Sequence, residues 1–253
     1  MRFFQYDNVA EPLLASVAAR PEATAVVFKG VSTTYRAMNE RVNRFAHLLS
    51  DEAGVRPGGK VAYLLANCPE IPEIYYAVQK IGAVAVPLNF KLIGREVGYL
   101  VNASGAEVLF FDPRFAAAVA EAAAQFDHGV QLFSVGGPAP LGRDGEALLA
   151  RCSAEEPALV RDGAALSRIQ FTGGSTGLPK GAARTHRADL VELASVTISN
   201  GMIDNPGSVV LVQCPLEHHG GHSWFTSAFA TGAALIICEA FNAERILHDM
   251  TPD

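Results

Sequence analysis

Short β-rich runs alternate with segments of helical period along most of this 253-residue chain, and that alternation confines it to layered α/β architectures rather than a bundle or a sandwich. Ala25 to Phe28 reads as a strand, linked by a turn at Lys29-Gly30 to an extended piece ending near Thr34. From Tyr35 the apolar residues Met38, Val42, Phe45, Ala46 and Leu49 recur at helical spacing, until Gly54 and Pro57-Gly58-Gly59 break the pattern. The theme repeats as strand Val61 to Leu65, then a helix from Pro69 to Ile81 with Glu70 and Glu73 near its positive end and Gly82 as its stop. Strands are predicted at Ala83 to Pro87, Val108 to Phe111 and Val130 to Val135, and helices at Ile93 to Asn102 and over the alanine-rich stretch from Pro113 to Phe126.

Gly136 to Gly163 is turn-rich, with one short helix at Leu148/Leu149, and is expected to cross the surface between two halves of the fold. The spacing beyond it predicts strand Ser167 to Phe171, a loop from Thr172 to Gly181, a helix from His186 to about Ser199 and strand Ser208 to Gln213. A helix from Trp224 to Ala230, strand Ala233 to Cys238 and a helix from Ala243 to Met250 follow. Residues 1–160 are expected to form a first α/β subdomain and residues 161–253 the start of a second.

The loop between Phe171 and Gly181 carries the chemistry. Thr172-Gly173-Gly174-Ser175-Thr176-Gly177-Leu178-Pro179-Lys180-Gly181 combines glycines that let backbone N–H groups turn inward, the hydroxyls of Thr172, Ser175 and Thr176, and the ammonium of Lys180. Such a set could surround a chain of phosphates, although loops of this composition are often only turns. It is neither a Walker A loop nor a dinucleotide fingerprint, because the glycine and lysine spacings of both are missing.

The order of residues closely resembles the phosphate loop of the adenylate-forming superfamily, which includes acyl-CoA synthetases, luciferases and peptide-synthetase adenylation domains and uses Thr-Ser-Gly-Ser/Thr-Thr-Gly-x-Pro-Lys-Gly. Gly173 stands where that pattern has serine, a loss of one hydroxyl donor worth about 0.5 to 1.5 kcal/mol. The resemblance extends to Thr34-Tyr35 with Asn39 and Asn43, to Gly82-Ala83-Val84-Ala85-Val86-Pro87-Leu88-Asn89, and to His186 after the loop. It implies the layered sheets and helices of that superfamily's large amino-terminal domain, with ATP held by Thr172, Gly173, Gly174, Ser175, Thr176, Gly177 and Lys180.

Pro215-Leu216-Glu217-His218-His219-Gly220-Gly221-His222 follows an apolar strand. Its three histidines invite a zinc site, but His218 and His219 are adjacent and no thiol or carboxylate completes a metal spacing, so no metal ligand is assigned. The segment resembles the superfamily's Pro-x-Phe/Tyr-His-x-x-Gly, which makes His218 the candidate substrate-pocket residue, with Glu217 replacing the aromatic. A carboxylate beside an apolar tunnel is costly unless paired or turned outward. Trp224, Phe225 and Phe229 could contact an acyl chain or simply pack in the core.

The resemblance implies an ATP-dependent carboxylate–CoA ligase, with magnesium and coenzyme A as further reactants, that makes an acyl-adenylate and then an acyl-CoA. An adenylation domain loading a carrier-protein thiol, and a non-catalytic fragment that self-associates into a homo-oligomer through open sheet edges, are the alternatives. The superfamily's adenine-binding and aromatic-Thr-Glu regions, ribose-binding aspartate, hinge and mobile carboxyl-terminal domain are not matched within these residues, so the isolated chain is expected to be a poor ligase.

The balance of residues narrows the setting. A net charge of −6 with 18% charged residues gives no general positive surface for nucleic acid or anionic membrane. No apolar run approaches the roughly 20 residues of a membrane span, Met1 to Asn8 lack the continuous apolar h-region of a secretory signal, and the four dispersed cysteines form no Cys-x-x-Cys. A cytoplasmic setting is expected.

Overall fold

Helices and strands alternate as the sequence pattern predicts, in a computed structural model that describes residues 5–172, 178–202, 205, 207–241 and 243–244. In chain order the elements are α1 (Glu11–Ala19), β1 (Thr24–Phe28), β2 (Val31–Thr34), α2 (Tyr35–His47), β3 (Lys60–Leu64), α3 (Glu70–Lys80), β4 (Val84–Leu88), α4 (Gly94–Ser104), β5 (Ala106–Phe111), α5 (Ala116–Ala123) and β6 (Gln131–Ser134). They continue as β7 (Arg143–Asp144), α6 (Gly145–Leu149), β8 (Leu166–Thr172), β9 (Lys180–Thr185), α7 (His186–Ser199), β10 (Val209–Val212), α8 (His219–Thr231) and β11 (Ala234–Ile237).

The strands form two sheets, β7-β6-β5-β3-β4-β8-β9 and β10-β11-β1-β2. Each sheet takes strands from both sides of residue 160. The larger is parallel from β7 through β8 and ends in the antiparallel β8–β9 hairpin.

Alternation along the central strands explains the layers. Val61 and Tyr63 of β3 and Val108 and Phe110 of β5 belong to one core. Ala62 and Leu64, with Leu109 and Phe111, belong to another on the opposite face, covered by Val97, Leu100 and Val101 of α4 and Val119 and Ala122 of α5. The first core also contains Val26, Val212, Leu235 and Ile237 of the smaller sheet together with side chains of α1, α2, α3, α7 and α8, so those helices fill the space between the sheets.

Local chemistry sets the helix ends. Thr34 Oγ1 accepts a hydrogen bond from the Ala37 N–H at 3.2 Å to open α2, and the buried Tyr35, Met38, Val42, Phe45 and Ala46 form its inner stripe. Gly232 closes α8 at φ 74°, a left-handed conformation that suits glycine.

Several elements depart from the sequence reading, among them strand β7 within the expected turn-rich segment. Helix α1 was not expected, since only Leu13, Pro12 and Ser16 of it are buried and its periodicity is short. The alanine-rich helix is preceded by a 3₁₀ turn at Pro113–Phe115 and ends at Ala123. Strand β9 starts at Lys180, inside the expected loop, because backbone pairing with β8 holds an exposed and glycine-containing run that no side-chain pattern marks. Helix α8 begins at His219 rather than Trp224, its first turn being hidden by two glycines of low helix propensity. The predicted helix from Ala243 lies mostly outside the described residues.

Candidate functional site

A cavity of about 300 Å³ opens where the carboxyl ends of β4 and β8 meet the first turn of α8. Pro87 and Asn89 line it from the end of β4, Leu92 and Leu100 from the segment entering α4 and from α4 itself, and Gln170, Phe171 and Thr172 from β8. Pro179, Glu217, His218 and His219 complete the wall. The carboxyl edge of a parallel sheet is a recurrent place for ligands, because the strands end together and leave a crevice.

The hairpin joins this cavity to the glycine-rich loop. Thr172 and Lys180 are the last register pair of β8 and β9, and the Thr172 hydroxyl donates to the Lys180 carbonyl at 3.4 Å. Thr172 and Pro179, on either side of the glycine-rich segment, both line the cavity. Gly173, Gly174, Ser175, Thr176 and Gly177, expected to hold phosphate, lie outside the described residues. The two flanking candidates, Thr172 and Lys180, are both exposed.

His218 caps α8, its Nδ1 accepting from the Gly220 N–H at 3.4 Å, and it lines the cavity. The other two histidines diverge from it. Nδ1 of His219 faces Arg168 Nη2 at 3.1 Å and its Nε2 faces Glu192 Oε1 at 3.3 Å. A guanidinium only donates, so Nδ1 is the acceptor and Nε2 carries the proton. His222 is buried with neither ring nitrogen hydrogen-bonded among the described residues, and its ring meets Tyr75 at 4.8 Å and Phe225 at 5.1 Å in edge-to-face contacts. Burial, reinforced by Arg168, holds His222 well below the usual histidine range and therefore neutral. Among the described residues no group of three or more His, Cys, Asp or Glu side chains is placed to hold a metal ion.

Behind the cavity wall lies a charged network that sequence reading missed. Arg168 is fully buried and reaches Asp189 through Nε at 3.2 Å, Asp189 also accepts from the Ser167 hydroxyl at 2.5 Å, and Arg184 bonds both Asp189 and, at 2.5 Å, Glu192. Burial works to raise the Asp189 pKa, but Arg168 and its other partners outweigh it and hold the carboxyl down at about 2. Arg168 Nη1 also donates to Gln170 Oε1 at 3.4 Å, and Gln170 Nε2 donates to the Glu217 carbonyl at 3.1 Å. The network thus fixes both hydrogen-bonding ends of one lining side chain.

Asn67 fastens the other end of the wall. Its amide donates to the carbonyls of Cys214 and Cys238 at 3.0 and 2.9 Å and its Oδ1 accepts from the Leu216 N–H at 2.8 Å. Gly221 lets the first turn of α8 lie against this segment: a Cβ there would fall 2.2 Å from the Pro215 carbonyl oxygen. No sequence pattern marks Asn67, Arg168 or Asp189, because each owes its place to partners distant in the chain.

Glu217 is turned inward. It is 3% exposed and its Oε2 has no hydrogen-bond partner among the described residues. Burial pushes its carboxyl up to about 7, against a weaker pull from its own backbone N–H and from Lys91. The aromatic candidates go elsewhere: Phe225 and Phe229 are fully buried against Tyr75, Tyr76 and Tyr35, Trp224 is partly exposed, and none lines the cavity. His186 opens α7 beneath the surface and its Nδ1 accepts from the Val9 N–H at 3.3 Å, a structural contact remote from the cavity lining.

A family model described as AMP-binding enzyme matches residues 13–251. A feruloyl-CoA synthase from an Amycolatopsis species is 35% identical over 232 residues, covering 87% of this chain and 44% of that protein. The fatty acid–[acyl-carrier-protein] ligase ScoC of Streptomyces coeruleorubidus is 30% identical over 233 residues, covering 89% of this chain and 42% of that one. The chain therefore spans less than half the length of these relatives. Among solved structures, the inhibitor-bound amino-terminal domain of Mycobacterium tuberculosis FACL13 superposes with a TM-score of 0.83 at 27% identity, over 96% of this chain and 60% of that one.

Proposed function

This chain belongs to the AMP-binding enzyme family, and from that premise we propose that it supplies the nucleotide and acid sites of an ATP-dependent carboxylate–CoA ligase. The observation that carries the reading is the junction of a cavity with the base of the glycine-rich loop: Thr172 lines the cavity, and Lys180 is its register partner.

In the first step a carboxylate oxygen of the acid attacks the α-phosphorus of ATP, forming the acyl-adenylate and expelling pyrophosphate. In the second, the thiol sulfur of coenzyme A attacks the acyl carbonyl, AMP leaves and the thiol proton is released. The substrate brings its own nucleophile to the first step, so no side chain is needed as a general base there. Thr172 and Lys180, with Gly173, Gly174, Ser175, Thr176 and Gly177, are proposed to bind and orient the phosphates, and His218 to line the acid pocket. Magnesium is proposed to enter with the nucleotide and to offset phosphate charge.

The activity is proposed for the whole protein to which these residues contribute. Acid-dependent exchange of labelled pyrophosphate into ATP across a panel of acids tests it. Folded whole protein that catalyses no exchange with any acid would overturn the enzymatic reading. A second reading, transfer to a carrier-protein thiol, is favoured by the similarity to ScoC, and thioester formation with coenzyme A against an acyl-carrier protein separates the two.

A further inference from the structure

Glu217 presents a problem that the proposed chemistry leaves open. The acid that enters the cavity brings a carboxylate of its own, yet the wall already contains a buried carboxyl whose Oε2 meets no donor among the described residues. Two of its neighbours in the wall are already committed. Gln170 is engaged at both ends, by Arg168 and by the Glu217 carbonyl, and His219 is engaged at both ring nitrogens, by Arg168 and Glu192. Lys91, the cation that pulls on Glu217, is exposed, and no ion pair joins the two among the described residues. A pocket shaped for bare hydrocarbon gains nothing from such a group, since burying it unpaired costs desolvation that no contact returns.

We propose that Glu217 is a specificity-determining residue, and that it selects acids whose body carries a hydrogen-bond donor, a hydroxyl or an ammonium, over acids of bare hydrocarbon. The inference rests on the reading that this cavity takes the acid. The donor occupies the vacant acceptor position of Glu217 while the carboxylate of the acid lies toward Thr172. A site built to bond a substrate donor rejects the analogue lacking it, because the protein group is then left buried and unpaired.

Calorimetric titration of the intact chain with size-matched acids tests this. The pairs are 6-hydroxyhexanoate with heptanoate and 4-hydroxybenzoate with 4-methylbenzoate, with 6-aminohexanoate as the cationic member. The wild-type chain is expected to bind at least one donor-bearing acid about tenfold or more tightly than its methyl counterpart. Glu217→Met and Glu217→Leu are both expected to bring that ratio to within about twofold; both remove an unpaired buried carboxyl and should fold. Comparison of the hydroxyl and ammonium acids distinguishes a neutral from a charged donor.

Equal or tighter binding of every methyl-bearing acid, a preference that survives in both variants, or no binding of any acid overturns the proposal. Titration with magnesium–ATP in parallel separates this from the broader reading. A chain that binds the nucleotide but shows no donor preference refutes the role of Glu217 alone, whereas a chain that binds no nucleotide counts against the nucleotide site itself.

Discussion

Thr172 and Lys180 face each other as the terminal pair of an antiparallel hairpin, so two proposed phosphate contacts eight positions apart in sequence flank the same loop opening. Pairing by backbone leaves the Lys180 side chain exposed and without an ion-pair partner among the described residues. Lys180→Ala should therefore weaken magnesium–ATP binding by about tenfold or more, the weight of a charge-assisted hydrogen bond, while the melting temperature stays within a degree or so. Calorimetry and a thermal scan on the same preparation check both halves; unchanged affinity removes Lys180 from the site.

The Arg168–Asp189 pair is buried on both sides, at 1% and 3% side-chain exposure. Removing one partner strands the other, so Asp189→Asn is expected to cost about 3 to 5 kcal/mol in urea unfolding. Replacing both with apolar residues, as in Arg168→Met with Asp189→Leu, should cost less than the sum of the single changes. Because the folded pKa of Asp189 is held down at about 2, its contribution is present above the unfolded value near 3.8 and is lost as pH falls from there through 2.

Glu217 has the opposite sign. Its folded pKa of about 7 lies above the ordinary 4.5 of a glutamate, so the proton it keeps favours folding at low pH and the advantage disappears as pH rises through 7. Glu217→Gln should match the wild type in stability most closely below about pH 4.5 and exceed it increasingly up to pH 8, by a few kcal/mol at about 1.4 kcal/mol per pKa unit. Parallel denaturant curves between pH 4 and 8 measure the difference. A constant offset across that range would refute the assignment.

Gly221 is required by close approach rather than by backbone conformation. A methyl group there collides with the Pro215 carbonyl and lies 2.7 Å from the Leu216 Cα, both backbone atoms that cannot rotate away. Gly221→Ala is expected to destabilise the chain by about 1 to 3 kcal/mol in denaturant unfolding and to displace the turn that bears Glu217 and His218.

The Tyr75 hydroxyl is buried with no hydrogen-bond partner among the described residues. Tyr75→Phe keeps the ring that packs on His222 and Phe225 and removes the unsatisfied group, so stability should be unchanged or rise by up to about 1 kcal/mol. A loss above that would reveal a partner for the hydroxyl.

Sequence alone determined the alternation of strands and helices, because period-two and helical spacings are local and survive in β3, β5 and the inner stripe of α2. It also marked residues 172–181 as a candidate anion site, through residue types whose donors need no context to be recognised. Only tertiary structure decided that Lys180 belongs to a strand, that His219 is held between Arg168 and Glu192 while His222 packs among aromatic rings, and that Glu217 turns inward. Those outcomes depend on hydrogen bonds and burial between segments far apart in the chain. The energy of an ion pair or a desolvated carboxyl is set by which partner arrives across the fold, and no spacing within a short window records it.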